Sequence, residues 1–330
     1  MRLLLTGAGG LLGRAVVAEA RSRGWDTLGL HHDALDITDA DAVRETVARF
    51  AAQAAGTSGE PGEGPRTVGG GEAHEKLLAV NCAAFSNVDR AEAEPEEAMA
   101  VNRDGAGNLA RAAAEAGVPL VHLSTDYVFD GKKETPYLPQ DQPAPLNVYG
   151  ISKLAGEAAV RQAGGEHVVV RTSWLFGDTE TGFLPFVVRG LRDGEADDEP
   201  LRVVSDETSR PTWVEDLAPA LLDLGEDRCG TGPGRSTGGG AAERPDLLHL
   251  ANTGYCTRLE LAETVREVLE ERDGRAFPRP IAPVTSRAFG APARRPARSV
   301  LDLALAERVL GRGLPHWRDA LRRFLFAGKA

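Results

Sequence analysis

The chain has 330 residues, of which 42% are hydrophobic and 26% charged, an ordinary composition for a globular protein with a sizeable core. Its formal net charge of −11 argues against a general affinity for nucleic acid or anionic membranes, which are usually met by basic surfaces. Cys82, Cys229 and Cys256 show neither a Cys-x-x-Cys pair nor a metal-ligand spacing, so neither a disulfide framework nor a metal site is expected. No apolar run resembles a signal peptide or a membrane span, and we predict a cytoplasmic protein.

The first element is a short apolar strand, Arg2 to Thr6, which runs directly into a turn containing Gly7, Gly10 and Gly13. A helical pattern of apolar residues follows. Strand, glycine turn and helix in this order are typical of the opening of a dinucleotide-binding unit, where glycines let the backbone approach a pyrophosphate. The alternative is a helix entry that merely requires small residues.

The second predicted strand, residues 27 to 30, ends at His31 and His32 and is expected to face the adenosine half of a cofactor. No acidic residue closes this strand, so the choice between NADH and NADPH stays open. Arg14 can be interpreted either as a ligand of a 2′-phosphate or as a solvated helix residue. Adjacent histidines point in divergent directions, which favours surface residues over a metal site.

Residues 56 to 74 are rich in glycine and interrupt the alternation of strands and helices. This composition cannot bury enough apolar surface to order the segment, and we predict a disordered insertion there. The alternation resumes with a third strand at residues 77 to 80. The small residues Ala83 and Ala84 follow it and would let a cofactor lie close to the backbone, while Cys82 is interpreted as a buried thiol.

Helices predicted at residues 91 to 102 and 104 to 116 lead to a fourth strand at 118 to 123, which delivers Ser124 and Thr125 to its carboxyl end. A hydroxyl there can stabilise a developing charge on a carbonyl oxygen, or it can simply cap the turn.

Tyr149 and Lys153 lie four residues apart in a predicted helix and therefore share one face. A neighbouring cation lowers the pKa of a phenol, so this pair predicts acid–base chemistry.

A fifth strand, residues 167 to 171, precedes Trp174, which is either a cover for a sugar or nicotinamide ring or a core residue. The pattern then becomes less regular, with a second glycine-rich insertion predicted at about residues 225 to 244. The arginine cluster at residues 294 to 298 is interpreted as a site for a small anion or as a solvated charge run. These elements predict an α/β fold: a Rossmann-type doubly wound parallel sheet over residues 1–175 and a smaller, mainly substrate-binding α/β region over 176–330, some of whose segments return to the first domain.

Several sequence blocks in this order resemble the dTDP-4-dehydrorhamnose reductase family of the extended short-chain dehydrogenase/reductase superfamily. They are the glycine turn, residues 121–131, 145–150 with 153–157, residues 171–174, Asn81 to Ala84 with Val88 and Asp89, Pro211-Thr212, and Arg295-Pro296. The resemblance spans nearly the whole chain and fails only at the two glycine-rich insertions.

The resemblance implies reduction of the C4 keto group of a dTDP-4-keto-6-deoxyhexose, giving dTDP-L-rhamnose or a related deoxysugar, by NADPH or NADH with a slight preference for NADPH. It implies that Tyr149 donates a proton, Lys153 lowers the pKa of Tyr149 and holds the nicotinamide ribose, and Thr125 completes the catalytic set. The implied cofactor-binding residues are Gly7, Gly10, Leu11, Leu12, Gly13, Asp36, Ile37, Ala83, Ala84, Leu123, Tyr149 and Lys153. The implied substrate-binding residues are Ser86, Thr125, Asp126, Trp174, Arg294 and Arg295.

Two alternatives remain on sequence grounds. The first is a nucleotide-sugar epimerase or dehydratase that recycles a tightly held cofactor. The second is a non-catalytic protein like the regulatory subunit of methionine adenosyltransferase, against which the intact set of Thr125, Tyr149 and Lys153 argues. A monomer or a homodimer is expected, with a dTDP-sugar as partner and no metal.

Overall fold

The computed structural model describes residues 1–54, 75–193, 199–230 and 244–328. The strands in these ranges are β1 (Arg2–Thr6), β2 (Asp26–Leu30), β3 (Leu77–Asn81), β4 (Leu120–Thr125), β5 (His167–Thr172), β6 (Leu175–Phe176), β7 (Leu201–Val204), β8 (Thr208–Ser209), β9 (Thr212–Trp213), β10 (Leu247–His249), β11 (Asn252–Thr253), β12 (Cys256–Thr257), β13 (Ile281–Val284) and β14 (Leu314–His316). The helices are α1 (Leu11–Ser22), α2 (Ala40–Ala54), α3 (Val88–Ala93), α4 (Pro95–Met99), α5 (Ala106–Glu115), α6 (Val148–Gln162), α7 (Phe183–Asp193), α8 (Val214–Arg228), α9 (Arg258–Asp273), α10 (Ser286–Phe289), α11 (Ala304–Leu310) and α12 (Trp317–Phe326).

A parallel sheet with the strand order β10-β5-β4-β3-β1-β2 forms the centre of the described structure. The chain leaves β1 for β2 on one side and returns to β3 on the other, so the strand order reverses between β1 and β3. Ligands of doubly wound sheets bind outside the carboxyl ends of the strands at such a reversal. The predicted Rossmann-type fold is confirmed.

Helices cover both faces of this sheet. α1 and α8 pack on one face, with α9 and α12 contributing to the same core, and α2, α5 and α6 pack on the other. All residues of β4 and β5 are buried, as expected for parallel strands enclosed by helices. Each buried valine of β5, such as Val168 and Val170, contributes on the order of 2 kcal/mol through removal of apolar surface from water.

The second half of the chain both completes the central sheet and forms a separate layer of small two-stranded sheets. β10 pairs in parallel with β5 at the sheet edge, whereas β7 pairs with β13 and β8 with β12 in small two-stranded sheets. The division into two domains at residue 175 remains a proposal, in which the second region returns one strand to the first. Within the described ranges, no helix is long and apolar enough to cross a membrane.

The structure differs from the predicted elements at two places. The helix predicted at residues 91 to 102 is divided into α3, α4 and a π-helical turn, Ala100–Gly105, because Pro95 begins a new helix at α4. α8 continues to Arg228, past residue 225 where the second insertion was expected to begin. Gly225 is buried there, and the position requires glycine because an added Cβ would lie 2.2 Å from a methyl carbon of Leu78. The remainder of that segment, residues 231–243, and the first predicted insertion lie outside the described residues.

Candidate active site

The glycine turn between β1 and α1 is shaped by close backbone contacts. Gly7 has a φ of +74°, and a Cβ on it would lie 2.5 Å from the backbone nitrogen of Ala83. A Cβ on Gly13 would lie 2.1 Å from the carbonyl oxygen of Gly7. Gly10 precedes α1 without a side-chain cap, so the first N–H groups of the helix remain available to an anion. Of the two intervening leucines, Leu12 is buried in the core and Leu11 is half-buried.

The carboxyl end of β2 carries exposed histidines and a tight turn. His31 and His32 are both exposed, and the His31 ring lies against Gly9. Arg14 is exposed and donates hydrogen bonds to the carbonyl oxygens of Gly9 and Asp178, at 2.7 and 2.6 Å. Backbone contacts therefore hold the guanidinium beside the glycine turn.

Asp36 and Ile37 follow this turn. The Asp36 carboxylate accepts hydrogen bonds from the backbone and hydroxyl of Thr38, which hold the pKa of Asp36 below its usual value. Ile37 is buried, and its carbonyl oxygen accepts a hydrogen bond from Asn108. Hydrogen bonds thus hold Asp36 and Ile37 in place near the end of β2.

Two asparagines fix the loop that follows β3. Asn81 accepts hydrogen bonds from the Thr6 hydroxyl at 2.8 Å and from the backbone N–H of Ala83 at 3.0 Å. Asn102, in the π-helical turn, exchanges two hydrogen bonds with the backbone of Phe85 and donates a third to Ser152 on α6. These contacts hold the loop containing half-buried Ala83 and Ala84 against α6. Ser86, at its end, is exposed.

Thr125 and Tyr149 meet above the carboxyl end of β4. Asn147 caps α6 by accepting a hydrogen bond from the N–H of Gly150. A Cβ on Gly150 would lie 2.2 Å from the carbonyl oxygen of Tyr127, so glycine allows α6 to approach this strand end. The Thr125 side chain lies near enough to the Tyr149 phenol to oppose the rise in the pKa of Tyr149 caused by burial.

Lys153 lies beneath this pair. Its side chain is almost fully buried, and Nζ donates a hydrogen bond of 2.6 Å to the carbonyl oxygen of Leu123. Burial lowers the pKa of Lys153 to about 8, an effect that the nearby carboxylate of Glu157 opposes. The ammonium form therefore predominates at neutral pH.

The Ser124 hydroxyl lies on the opposite side of β4 from this pair. It donates a hydrogen bond of 2.5 Å to Glu157, which forms a buried two-point ion pair with Arg171 at 2.8 and 2.6 Å. Arg171 also stacks on the Phe129 ring and approaches His249. Ser124 thus belongs to a structural network that ties α6 to β5.

Asp126 is only 2% exposed. Oδ1 accepts a hydrogen bond of 3.2 Å from Thr125, and Oδ2 accepts one of 2.9 Å from Ser209 and another from Ser299. Burial raises the pKa of Asp126 to about 6, although the three hydroxyls and the charge of Arg258 oppose the rise. The Asp126 carboxylate is therefore buried beside Thr125, and both of its oxygens already accept hydrogen bonds.

Trp174 has one face covered by an arginine. It has a φ of +42°, the one positive value for a non-glycine residue among those described, and such strain is common at functional sites. The Arg258 guanidinium lies 3.6 Å from the Trp174 ring centroid and 4.8 Å from that of Phe183. Its Nε lies 3.9 Å from the buried carboxylate of Glu207. Arg258 is thus a preordered cation with stacking partners.

The two arginines of the basic turn have different surroundings. Arg295 donates to Asp89 through both terminal nitrogens, at 3.1 and 2.8 Å. Arg294 is exposed, and its carbonyl oxygen accepts a hydrogen bond from Asn147, the cap of α6. The turn is therefore joined to both α3 and α6, and Arg294 has the more accessible side chain.

A cavity of about 760 Å³ lies beside Trp174 and the basic turn. Its lining is rich in arginine and phenylalanine, with two acidic side chains: Arg202, Arg258, Arg287, Arg294, Arg295, Phe183, Phe186, Phe289, Asp206 and Glu207. Clustered guanidinium groups suit a phosphate-bearing ligand, and the rings suit a planar base.

Comparison with known proteins identifies the family. The model of the RmlD substrate binding domain matches residues 1–329. The chain belongs to the RmlD substrate-binding-domain family. A dTDP-4-dehydrorhamnose reductase from Sinorhizobium fredii is 36% identical over 99% of this chain and 97% of its own length. A probable dTDP-4,6-dihydroxy-2-methyloxan-3-one 4-ketoreductase from Streptomyces antibioticus is 36% identical over 98% of this chain and 94% of its own.

A solved crystal structure is similar to this chain in fold as well as in sequence. The crystal structure of dTDP-4-dehydrorhamnose reductase from Bacillus anthracis in complex with NADP is 30% identical to this chain, covers 99% of both chains and has a TM-score of 0.79. The predicted resemblance to dTDP-4-dehydrorhamnose reductases is confirmed.

The expected effect of Lys153 on the pKa of Tyr149 is wrong. Lys153 was expected to lower the pKa of Tyr149, whereas burial raises it above its ordinary value, and the nearby acidic groups of Asp126 and Tyr127 raise it further. The physical reason is that Tyr149 is desolvated, while the ammonium of Lys153 is directed to the Leu123 carbonyl.

Sequence reasoning missed Asn102, Arg258 and the partners of Asp126. Asn102 lies within a helical pattern, and no local signal indicates that its side chain joins two loops. Arg258 is marked only by the capping box at the start of α9, in which Thr257 and Glu260 satisfy each other's backbone N–H groups. Ser209 and Ser299 lie 83 and 173 residues from Asp126 in the chain, so their contact depends on the tertiary fold.

Proposed function

We propose that this protein is an NADPH-dependent reductase of the C4 keto group of a dTDP-4-keto-6-deoxyhexose, with dTDP-4-dehydro-L-rhamnose as the leading substrate. The observation that carries the proposal is the meeting of Thr125 and Tyr149, with Lys153 beneath them, between the glycine turn and an arginine-lined cavity. Relatives named dTDP-4-dehydrorhamnose reductase, from Sinorhizobium fredii and Bacillus anthracis, support it.

The glycine turn fits a dinucleotide, because glycine at positions 7 and 13 lets the turn pack tightly on the Ala83 backbone and on itself, and the N-terminus of α1 then faces the expected pyrophosphate. The N-terminus of α1 and the loop around Ala83 and Ala84 would hold the cofactor. Once bound, NADPH supplies the hydride. No carboxylate stands directly at the end of β2 to prefer an unphosphorylated ribose, and Arg14 lies beside the turn, which supports NADPH over NADH.

The high pKa of Tyr149 suits proton donation. Because burial keeps the phenol protonated at neutral pH, Tyr149 can deliver its proton to the ketone oxygen as that oxygen becomes negative. Thr125 would stabilise the tyrosinate left behind by turning its hydroxyl hydrogen from Asp126 to the phenolate oxygen. The Lys153 ammonium would add a positive charge beneath the site and hold the nicotinamide ribose.

The cavity would receive the nucleotide part of the substrate. Arg258 and exposed Arg294 are the best placed cations for the diphosphate, since Arg295 is already paired with Asp89. Arg258 also links this cavity to the catalytic side, because it stacks on Trp174 and its charge acts on Asp126. Trp174 and Ser86 would flank the sugar.

A related 4-keto deoxysugar is the second candidate substrate, supported by the Streptomyces antibioticus relative named as a probable 4-ketoreductase. An epimerase or dehydratase would recycle its cofactor and consume no NADPH. A purely regulatory role would leave the Thr125, Tyr149 and Lys153 arrangement without use. We further propose a cytoplasmic monomer or homodimer, in keeping with three free thiols.

The test is a panel of nucleotide-linked 4-keto sugars, each assayed with NADPH and NADH in parallel. We expect NADPH oxidation with dTDP-4-keto-6-deoxyhexoses and weaker or no oxidation with the corresponding UDP-sugars. Cofactor binding without turnover of any 4-keto sugar would contradict the proposal.

A further inference from the structure

The Arg258 guanidinium is mostly buried, and among the described residues none accepts a hydrogen bond from it. Its side chain is only 18% exposed, and the Glu207 carboxylate lies 3.9 Å from Nε, beyond hydrogen-bonding distance. Buried polar groups are nearly always paired, and a guanidinium carries five donors. Arg258 therefore lacks the acceptors that a bound anion in the cavity can supply.

Contacts with Glu207 fix the position of Arg258. Arg258 is the first residue of α9, and its backbone N–H donates a hydrogen bond of 3.3 Å to the carbonyl oxygen of Glu207. The buried Glu207 carboxylate accepts a hydrogen bond of 3.1 Å from the Ser286 hydroxyl, so it too is held in place. The cation is therefore positioned before a ligand binds.

Arg258 joins the cavity to Trp174. Arg258 and Phe183 both line the cavity, whereas Trp174 does not. The guanidinium lies 3.6 Å from the centroid of the Trp174 ring, a direct stacking contact. A planar guanidinium can stack on a ring and still donate hydrogen bonds from its edge. An anion bound in the cavity would therefore bind a cation that already contacts Trp174.

Trp174 depends on its surroundings for its conformation. Its φ of +42° lies in the left-handed region, and such backbone strain persists only where neighbouring contacts hold it. The Trp174 carbonyl oxygen accepts a hydrogen bond of 3.1 Å from the backbone N–H of Thr212, while Arg258 covers one face of the ring. The backbone and the ring are thus held by different contacts, and the ring is held by Arg258.

We propose that Arg258 couples the two ends of the sugar nucleotide: the diphosphate binds its guanidinium, and the bound guanidinium fixes the Trp174 ring against the sugar. The diphosphate would then contribute to the rate of reduction as well as to affinity. This inference rests on the proposed reductase function and on the proposed place of Trp174 beside the sugar. It gives Arg258 a positioning role in addition to its binding role.

Arg258→Lys separates the charge from the stacking contact. Lysine keeps the positive charge but lacks the planar group that stacks on a ring. We expect kcat to fall at least ~10-fold, because a substrate displaced by about 1 Å can lose on the order of 100-fold in rate. Kd for dTDP should rise less than in Arg258→Met, which loses the charge. Because kcat is measured at saturating sugar nucleotide, its loss reports positioning and not affinity.

A double-mutant cycle assigns this loss to Trp174. Trp174→Leu removes the ring, and in that background Arg258→Lys should lower kcat by less than ~2-fold. If the two losses in kcat multiply, Arg258 acts independently of Trp174 and the inference is wrong. If Arg258→Lys raises KM and leaves kcat unchanged, Arg258 is a phosphate ligand with no positioning role, which overturns the inference as well.

Tryptophan emission provides a measurement that needs no turnover. Trp174 is half-buried, whereas Trp25, Trp213 and Trp317 are buried. Saturating dTDP should change the emission of wild-type protein and thymidine should not, and Trp174→Phe and Arg258→Lys should each lose most of that change. No change with dTDP, or an equal change in the Arg258→Lys variant, would contradict the coupling. If Arg258→Lys does not fold, a dTDP response that persists in Trp174→Phe contradicts it.

Arg23→Lys is the matched control, because it makes the same substitution at another arginine beside a tryptophan. Arg23 lies 5.6 Å from the ring centroid of Trp25 and follows the end of α1 opposite the glycine turn. Its kcat and its dTDP response should stay within ~2-fold of wild type. Wild-type protein with the dTDP response but no turnover of any 4-keto sugar contradicts the reductase alone. An active wild type whose kcat is unaffected by Arg258→Lys contradicts only the coupling.

Discussion

The proposed cofactor side and the proposed substrate side of this site are built in different ways. On the cofactor side, the glycine turn and the Tyr149/Lys153 helix each consist of residues close together in the chain. On the substrate side, Arg258 reaches Trp174, and Ser299 reaches Asp126, across long stretches of sequence. Local motifs can therefore identify the chemistry, whereas tertiary contacts decide which groups meet the substrate.

The largest expected effect concerns Tyr149 on α6. Tyr149→Phe removes the proton donor and should lower kcat at least ~100-fold, the low end for loss of a general acid, with little change in the thermal unfolding temperature. Tyr127→Phe is the matched control, because its ring lies edge-on to Tyr149 at 6.0 Å and it has no assigned catalytic role. Equal kinetics for wild type and Tyr149→Phe would contradict the role of Tyr149 as the proton donor.

Arg258 and Arg295 provide the sharpest comparison on the substrate side. Arg258→Met should raise Kd for dTDP ~10-fold or more, because a stacked guanidinium is lost from the cavity, whereas thymidine binding should change little. Arg295→Met should affect dTDP binding less, since Arg295 is occupied by Asp89. The reverse order, measured by calorimetry, would assign the diphosphate to Arg295.

On the cofactor side, Gly13→Ala should raise Kd for NADPH about tenfold. Its added methyl would meet the Gly7 carbonyl oxygen at 2.1 Å and force the turn to shift. Gly10→Ala should have a smaller effect, because its Cβ would lie 3.3 Å from the same oxygen. Equal losses for the two variants, measured by cofactor fluorescence, would show that the turn is not shaped by this contact.

The smallest effect concerns pH. The pKa of Lys153 is lowered to about 8 by burial, so its ammonium is present below about pH 8 and is lost as pH rises through that value. We expect kcat to fall by about tenfold between about pH 7 and about pH 9, because the neutral amine cannot stabilise a tyrosinate. A kcat that stays constant up to about pH 10 would show that the charge of Lys153 is not required.

Much of the fold, and the placement of Tyr149 and Lys153 on one helix, could be predicted from sequence because the signals are local. Apolar runs marked the strands, glycines marked the first turn, and the four-residue spacing placed Tyr149 and Lys153 on one helix face. The pKa of Tyr149 could not be predicted in this way, since it depends on burial and on the direction of the Lys153 side chain.

The same limit applies to the substrate side. The arginine cluster at residues 294 to 298 was visible, but its sequence does not reveal that Asp89 pairs with Arg295. The sequence places Asp126 beside Thr125 without indicating that Ser209 and Ser299 hold its carboxylate from below. Residue spacing cannot specify such pairings, because loops bring the partners together only in the folded chain.

Transfer of deuterium from NADPH labelled at the reactive C4 position of the nicotinamide tests the central claim most directly. With a dTDP-4-keto-6-deoxyhexose, the account predicts one deuterium at C4 of the product sugar for each NADPH oxidised, read by mass spectrometry and NMR. A product without deuterium, or conversion of the sugar with no net loss of NADPH, would contradict the reductase and favour an epimerase or dehydratase.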